Sequence, residues 1–142
     1  MTDPRETLNR IRKQANAATP GPWEVEPFTW RPGHPLPESE WLGVEATGPV
    51  KGGVALILLN DDEDDHDAEF IAAARTTVPA LLDALEKVLE LHQPVTDGMG
   101  FTEDGYGGIS PACSSCGTSD EYAVPYPCPT VTAITTALEA TK

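Results

Sequence analysis

The chain has 142 residues, of which 9 are Lys or Arg and 23 are Asp or Glu, so its formal net charge at pH 7 is −14. A chain of this length fits one domain and buries roughly two thirds of its unfolded surface. Nucleic-acid surfaces take most of their affinity from Lys and Arg, and the residues between Lys87 and Lys142 include neither. Direct nucleic-acid binding by this region is therefore not expected.

The N-terminal residues do not form a secretory signal, because they carry several basic side chains and no apolar run. The longest apolar stretch, Val54 to Leu59, is far shorter than the roughly 20 residues that cross a bilayer. These features predict a cytoplasmic protein without a membrane segment.

A first helix is predicted from Asp3 onward. Asp3 is a suitable cap, Pro4 fits the first turn, and Glu6 lies where its carboxylate reaches back to the cap. The helix is predicted to end at Thr19-Pro-Gly-Pro22, because two prolines and a glycine cannot continue it.

Three segments that follow are typical of strands in a small antiparallel sheet. Trp23–Glu26 and Leu42–Ala46 alternate apolar with acidic or small residues, which predicts strands with one solvated face. Val54–Leu59 is apolar on both faces and is predicted to be the central strand. The proline-rich segment Arg31–Glu40 is predicted to be an exposed loop.

Two packed helices are predicted next. The acidic run from Asp61 to Glu69 suits a helix start, where the backbone dipole favours negative charge. A break at Thr77-Val-Pro79 is predicted to separate this helix from a second one, because a residue that precedes proline avoids helical angles. The second helix has an apolar stripe that includes Leu81, Leu85 and Val88.

The composition changes after residue 92, where Gly, Pro, Ser and acidic residues replace large apolar ones. Residues 93–126 bury too little surface to hold themselves together and are predicted to be loop. Pro129–Ala140 is predicted to be a short last helix. The overall expectation is an α+β fold, with a core domain at 1–92 and a zinc-stapled loop and helix at 93–142.

All three cysteines are spaced as metal ligands. Cys113-Ser-Ser-Cys116 is followed by Gly117, which can adopt the positive φ of a tight turn, and Cys128 is placed to close the site. His92 is the predicted fourth ligand, because it lies where the second helix ends. Four protein ligands would leave no position for water, so the predicted cofactor is a structural zinc ion.

Other interpretations of these residues remain open. His92 can be an ordinary core or surface histidine, and the cysteines can be free thiols or can include a Cys113–Cys116 disulfide. Cys128 precedes a predicted helix start, where a thiolate is stabilised, and is the best candidate for a reactive cysteine. No catalytic residues are predicted, since the chain lacks a zinc-deaminase signature and a nucleophile elbow.

Three groups of segments carry a resemblance to a known kind of protein. They are Ala18-Thr-Pro-Gly-Pro-Trp23, Asp67-Ala-Glu-Phe-Ile-Ala-Ala-Ala-Arg75 with Val78-Pro-Ala-Leu-Leu82, and Tyr126-Pro-Cys-Pro-Thr-Val131. They resemble segments of short uncharacterised proteins of actinobacterial phages and prophages, some labelled Ead-like phage early proteins. The resemblance implies a phage accessory role and a His-x-Pro that here corresponds to His92-Gln-Pro94. It also implies the Cys-x-x-Cys at Cys113 and Cys116.

These observations together favour a non-enzymatic phage or prophage protein that binds an unidentified host or phage protein. Two alternatives are an acidic inhibitor that imitates DNA phosphates with its carboxylates at 61–69, and a zinc hydrolase with only the three cysteines as ligands.

Overall fold

The computed structural model describes residues 3–27, 41–58, 64–96, 98–102, 105–118 and 122–140. Within them lie three helices, α1 (Pro4–Ala17), α2 (Asp64–Leu91) and α3 (Pro129–Glu139). The strands are β1 (Trp23–Pro27), β2 (Trp41–Ala46), β3 (Gly52–Leu58), β4 (Pro94–Val95), β5 (Gly98–Thr102), β6 (Gly105–Ile109), β7 (Ala112–Thr118) and β8 (Tyr122–Pro125). The predicted α+β class, with its small antiparallel sheet and short last helix, is confirmed.

The first helix begins as its sequence predicts. The Arg5 backbone N–H donates to Asp3 Oδ1 at 2.9 Å, which satisfies one of the amides that a helix start leaves without a partner. Leu8 is fully buried on the inner face. The helix ends at Ala17, just before the Pro-Gly-Pro turn.

The first sheet has the order β1-β2-β3 with antiparallel pairing throughout. Val25 pairs with Val44, and Val44 and Ala46 are buried. The prediction that the Val54–Leu59 segment is central is wrong, because among the described strands β2 is central and β3 lies at the edge. A central position requires backbone partners on both sides, which a periodic pattern does not encode, and in β3 the apolar pattern does not even correspond to burial, since Leu56 is 40% exposed.

Arg75 of α2 contacts Ala15 and Trp23, which lie before and after the Pro-Gly-Pro turn, and these contacts are called the Arg75 clamp below. Arg75 Nη1 donates to the Ala15 carbonyl at 2.9 Å, and its guanidinium carbon lies 6.0 Å from the centre of the Trp23 ring. The Trp23 indole N–H donates to the Thr19 carbonyl at 3.0 Å. A Cβ on Gly21 would come within 2.7 Å of Arg75 Cγ, so glycine makes the close approach possible.

The predicted break at Thr77-Val-Pro79 is wrong, because α2 continues through Pro79. Proline lacks the N–H that would bond the Arg75 carbonyl, at a cost of about 3 kcal/mol in a helix interior. Ala68, before Pro79, and Leu82, after it, are both buried, so the helix is packed in the segments that precede and follow the proline. The preference of a pre-proline residue for extended angles is a bias that tertiary packing overrides.

Most of the described residues between 94 and 125 lie in the five strands β4 to β8, so the prediction of a loop at 93–126 is wrong. One sheet has the order β4-β7-β8, and β5 pairs with β6 as a hairpin in which Thr102 lies opposite Gly105. Gly105 has φ 117°, which glycine adopts without strain. A glycine between two short segments was the available sequence signal for a turn here.

Backbone contacts group the chain into two compact units. One contains residues 1–11 and 82–142 and is called the metal unit below; the other contains residues 12–81 and is called the sheet unit. The proposed division into 1–92 and 93–142 concerns which segments fold as domains, and it stays a prediction. The predicted loop Arg31–Glu40 and residues Asp61 to Glu63 of the acidic run lie outside the described residues.

Among the described helices, none combines the length and the apolar character that a bilayer crossing requires.

Candidate metal centre

The end of α2 places His92 beside a short pair of strands. The His92 backbone N–H donates to the Val88 carbonyl at 3.3 Å, which completes the last turn of the helix. Two residues later, Pro94 of β4 pairs with Cys113 of β7. Because opposed residues in an antiparallel pair lie about 4.5–5.5 Å apart, this register brings the histidine close to the first cysteine.

Strand β7 bulges between its two cysteines. Ala112 pairs with Pro125 and Gly117 pairs with Ala123, so five residue steps of β7 match two steps of β8. The residues between Ala112 and Gly117 form an arch, called the cysteine arch below, that directs Cys113 and Cys116 toward the same point. Gly117 closes the arch with φ 136°, the left-handed conformation that the sequence predicts for it.

The two serines of the arch connect it to the backbone on either side of His92. Ser114 Oγ donates to the Leu91 carbonyl at 2.7 Å, and Ser115 Oγ donates to the same oxygen. The Gln93 N–H donates to Ser114 Oγ at 2.9 Å, and the Ser114 N–H donates to the Gln93 carbonyl at 2.8 Å. These bonds satisfy a helix-end carbonyl and hold His92 against the cysteine arch.

Cys128 reaches the site from the N-cap of α3. Its carbonyl accepts the first helical bond from the Thr132 N–H at 2.9 Å, and its side chain is fully buried. Burial alone raises the pKa of this thiol, but the backbone N–H groups of Val131 and Thr130 and the two neighbouring cysteines lower it below its usual value. A helix start of this kind stabilises a thiolate and therefore a metal ligand.

The four ligand atoms converge. His92 Nδ1 lies 3.3 Å from Cys113 Sγ, 3.3 Å from Cys116 Sγ and 3.5 Å from Cys128 Sγ. All four atoms lie within 4.8 Å of one another. In a tetrahedral zinc site with Zn–S near 2.3 Å and Zn–N near 2.0 Å, each N–S pair is about 3.5 Å apart. The arrangement therefore fits one ion at the centre of the four atoms.

Hydrogen bonding does not account for this cluster. One ring nitrogen of a neutral histidine donates or accepts a single proton, yet three sulfurs lie within reach of Nδ1. Burial raises the pKa of the Cys116 thiol to about 12, and its hydrogen bonds with Cys128 and Cys113 and the repulsion from their negative charge act in the same direction. A central divalent cation would compensate that repulsion, so the cluster could hold a metal ion.

Sequence analysis names the same four residues, and the structure brings all four together. The alternative of a Cys113–Cys116 disulfide is wrong, because each of the three cysteines is free. The hydroxyl contacts of Ser114 and Ser115 were not predicted. Their signal was available, since Ser and Thr side chains commonly bond backbone groups that helix ends leave without partners.

Comparisons of the chain with family models, with curated proteins and with solved structures find no match.

Proposed function

We propose that this chain is a small non-enzymatic protein of phage or prophage origin that carries one structural zinc ion and binds another protein in the cytoplasm of a bacterial host. The observation that carries the metal part is the convergence of one imidazole nitrogen and three sulfurs, two of the cysteines being buried. Zinc is favoured over other ions because thiolate and imidazole ligands in a tetrahedral set are the ones it prefers.

A structural role for the ion is supported by the complete ligand set. His92 Nδ1 lies where a hydrolytic zinc site would need a water molecule, at similar distances from all three sulfurs. With four protein ligands, zinc has no open position for a substrate. This geometry argues against the alternative of a hydrolase with three cysteine ligands.

A binding role is supported by the surface of the sheet unit. Phe70 is 76% exposed and Leu81 is 58% exposed, and both lie on α2. Positions eleven residues apart share nearly the same face of a helix, because three turns span about 10.8 residues. The two side chains lie about 16 Å apart along this face and offer a partner two separate apolar contacts. The phage origin is supported by the resemblance of the segments named above.

Metal analysis of the purified chain tests the zinc proposal. We expect one zinc per chain in the wild type, and loss of the metal in His92→Ala. The matched control is His66→Ala, because His66 is 81% exposed and its nearest charged partner is Glu69 at 3.9 Å. A wild-type chain without bound metal, or a His92→Ala chain that keeps its zinc, would contradict the proposal.

The binding role is tested by capturing proteins from lysates of infected and uninfected host cells on the immobilised, zinc-loaded chain. A specific partner is expected to be retained by the wild type and to be confirmed with purified components. Failure to retain any partner at saturating lysate concentrations counts against the binding role and leaves the metal site unaffected.

A second candidate function, inhibition by imitation of DNA, is favoured by the charge at the start of α2. Asp67 and Glu69 are exposed there, and the whole chain carries a net charge of −14. Such an inhibitor would occupy a basic nucleic-acid site, so its affinity would fall steeply as ionic strength rises. Binding to a nucleic-acid enzyme that is indifferent to salt would remove this candidate.

A further inference from the structure

The outer edge of β3 is unusual in a chain of such high charge. β3 pairs with β2 on one side, and no other strand of the described residues pairs with its second edge. The strand, Gly-Gly-Val-Ala-Leu-Ile-Leu, contains no charged residue and no proline. Natural proteins commonly protect such an edge with charges, prolines or bulges, because its backbone groups are a template for another strand, and of these devices β3 has one bulge, at Val54.

A recess lies on the sheet face next to this edge. Its volume is about 270 Å³, and its lining residues are Gly43, Glu45, Gly53, Val54, Ala55 and Leu56. Glu45 pairs with Gly53, and Gly43 pairs with Leu56, so two missing side chains create the space. Small-molecule sites usually measure roughly 300–1,000 Å³, which makes this recess better matched to a single side chain.

Glu45 is the charged residue among those that line the recess. It is half-buried, and a Cβ on Gly43 would lie 3.7 Å from its Cγ and Oε1, so the carboxylate leans over Gly43. Within the described residues no cationic group pairs with it. A half-buried carboxylate is stabilised when a cation meets it, and the recess also contains the apolar side chains of Val54 and Leu56.

We propose that an extended segment of another protein adds to the edge of β3 as a strand and inserts a Lys or Arg side chain into this recess. The aliphatic stem would pack on Val54 and Leu56, and the charged group would pair with Glu45. The proposal rests on the binding role proposed above in taking a protein as the partner, and it does not depend on the metal. A second copy of this chain is a poorer occupant, because each copy carries −14 and β3 supplies no basic side chain of its own.

Three substitutions separate binding in the recess from the general stability of the sheet. A Cβ on Gly53 meets no atom within 4 Å, so Gly53→Val fills the recess without a clash at that atom. Gly52 is equally unhindered, and its side chain would point to the opposite face of the strand, which makes Gly52→Val the matched control. Glu45→Gln removes the charge and keeps the shape.

The probe is a blocked peptide of alternating Thr and Val with a central Lys, titrated into the isotope-labelled, zinc-loaded full chain and followed by NMR. We expect chemical-shift changes at the amides of β3 and slower amide exchange there. A sibling peptide with a central Glu is expected to bind at least about tenfold more weakly. We expect Gly53→Val to weaken the Lys peptide by at least about tenfold, Glu45→Gln by about fivefold, and Gly52→Val by less than about twofold.

Three results would overturn the proposal. One is the absence of any shift at β3 with about millimolar Lys peptide. Another is equal affinity for the Lys and Glu peptides, or an affinity that Gly53→Val leaves unchanged. The third is a dimer, detected by analytical ultracentrifugation, that Gly53→Val dissociates, since the occupant would then be a second copy. A chain that fails these tests but still captures a partner from lysate through another surface retains the proposed binding role.

Discussion

The sheet unit and the metal unit differ in the side chains that they bury. In the sheet unit, β2 buries Val44 and Ala46, and Arg75 of α2 donates to the Ala15 carbonyl in the last turn of α1. In the metal unit, the buried side chains include Leu8, Leu89 and Val131 as well as Cys113 and Cys128, whose sulfurs face His92. Within the glycine- and serine-rich segment itself, the described residues that are buried are Ala112 and Cys113, so we expect a bound metal ion to add order to that segment.

Removal of the metal should distinguish the two units most strongly. Structural zinc contributes about 10–16 kcal/mol of apparent binding free energy in zinc-finger peptides near neutral pH. We expect chelation to abolish amide protection in β7, β8 and α3, while β1 and β2 keep theirs. Hydrogen exchange followed by mass spectrometry measures both in one sample.

The matched variant is Cys128→Ser, which removes one ligand from a buried position and should reproduce the effect of chelation. Equal loss of protection in β1 and β2 would show that the sheet also depends on the ion. Full protection of β7 after chelation would show that the metal unit holds without it.

The opposite experiment weakens the sheet and leaves the metal centre intact. Val44 is fully buried, so Val44→Ala removes two methyl groups and leaves a cavity, at a cost of about 2 to 3 kcal/mol. Urea denaturation of the zinc-loaded chain measures this loss, and chelator competition is expected to give an unchanged zinc affinity. The control is Val50→Ala, because Val50 is 52% exposed and should cost less than about 0.5 kcal/mol.

The metal centre was more predictable from sequence than the strands that form it. Ligand identity depends on a few residues whose chemistry leaves few options, so Cys113, Cys116, Cys128 and His92 could be named without knowing the path of the chain. Strands β4 to β8 were missed because they are short and rich in glycine, so the alternation in Gly98–Thr102 is brief, and β7 consists mostly of Cys, Ser and Gly.

Two further predictions were wrong because they followed a local sequence preference that tertiary contacts outweighed. Pro79 normally ends a helix, but Ala68 and Leu82 are buried on its two sides and α2 remains unbroken. The apolar strand β3 was predicted to be central, but strand order depends on backbone pairing between segments distant in sequence. In both cases the tertiary environment outweighed a correct local preference.

The serines of the arch provide a smaller perturbation of the metal unit. Ser114→Ala with Ser115→Ala removes both hydroxyl bonds to the Leu91 carbonyl, so His92 is less firmly held near the sulfurs. Groups that orient metal ligands typically change affinity about tenfold to a hundredfold, and we expect zinc to bind more weakly by at least the lower figure. Chelator competition measures the change, and the absorption spectrum of the cobalt-substituted protein should keep its thiolate bands because all ligands remain.

The control for the serine pair is Thr136→Ala, which removes a hydroxyl bond of 2.9 Å to the Thr132 carbonyl in α3. It should leave the zinc affinity within about twofold of the wild type. An unchanged affinity in the double variant would mean that the metal alone positions His92.

The smallest expected effect is that of a substitution of Arg75, in the Arg75 clamp of the sheet unit. Arg75→Lys keeps the positive charge, but a single ammonium group replaces a guanidinium that bonds the Ala15 carbonyl and also lies 6.0 Å from the centre of the Trp23 ring. We expect a loss of about 1 kcal/mol in urea denaturation, with unchanged zinc affinity. Arg10→Lys, on the exposed face of α1, is the control and should change stability by less than about 0.5 kcal/mol. A measurable loss would show that the contacts of Arg75 stabilise the sheet unit, whereas equal stability of the two variants would show that they do not.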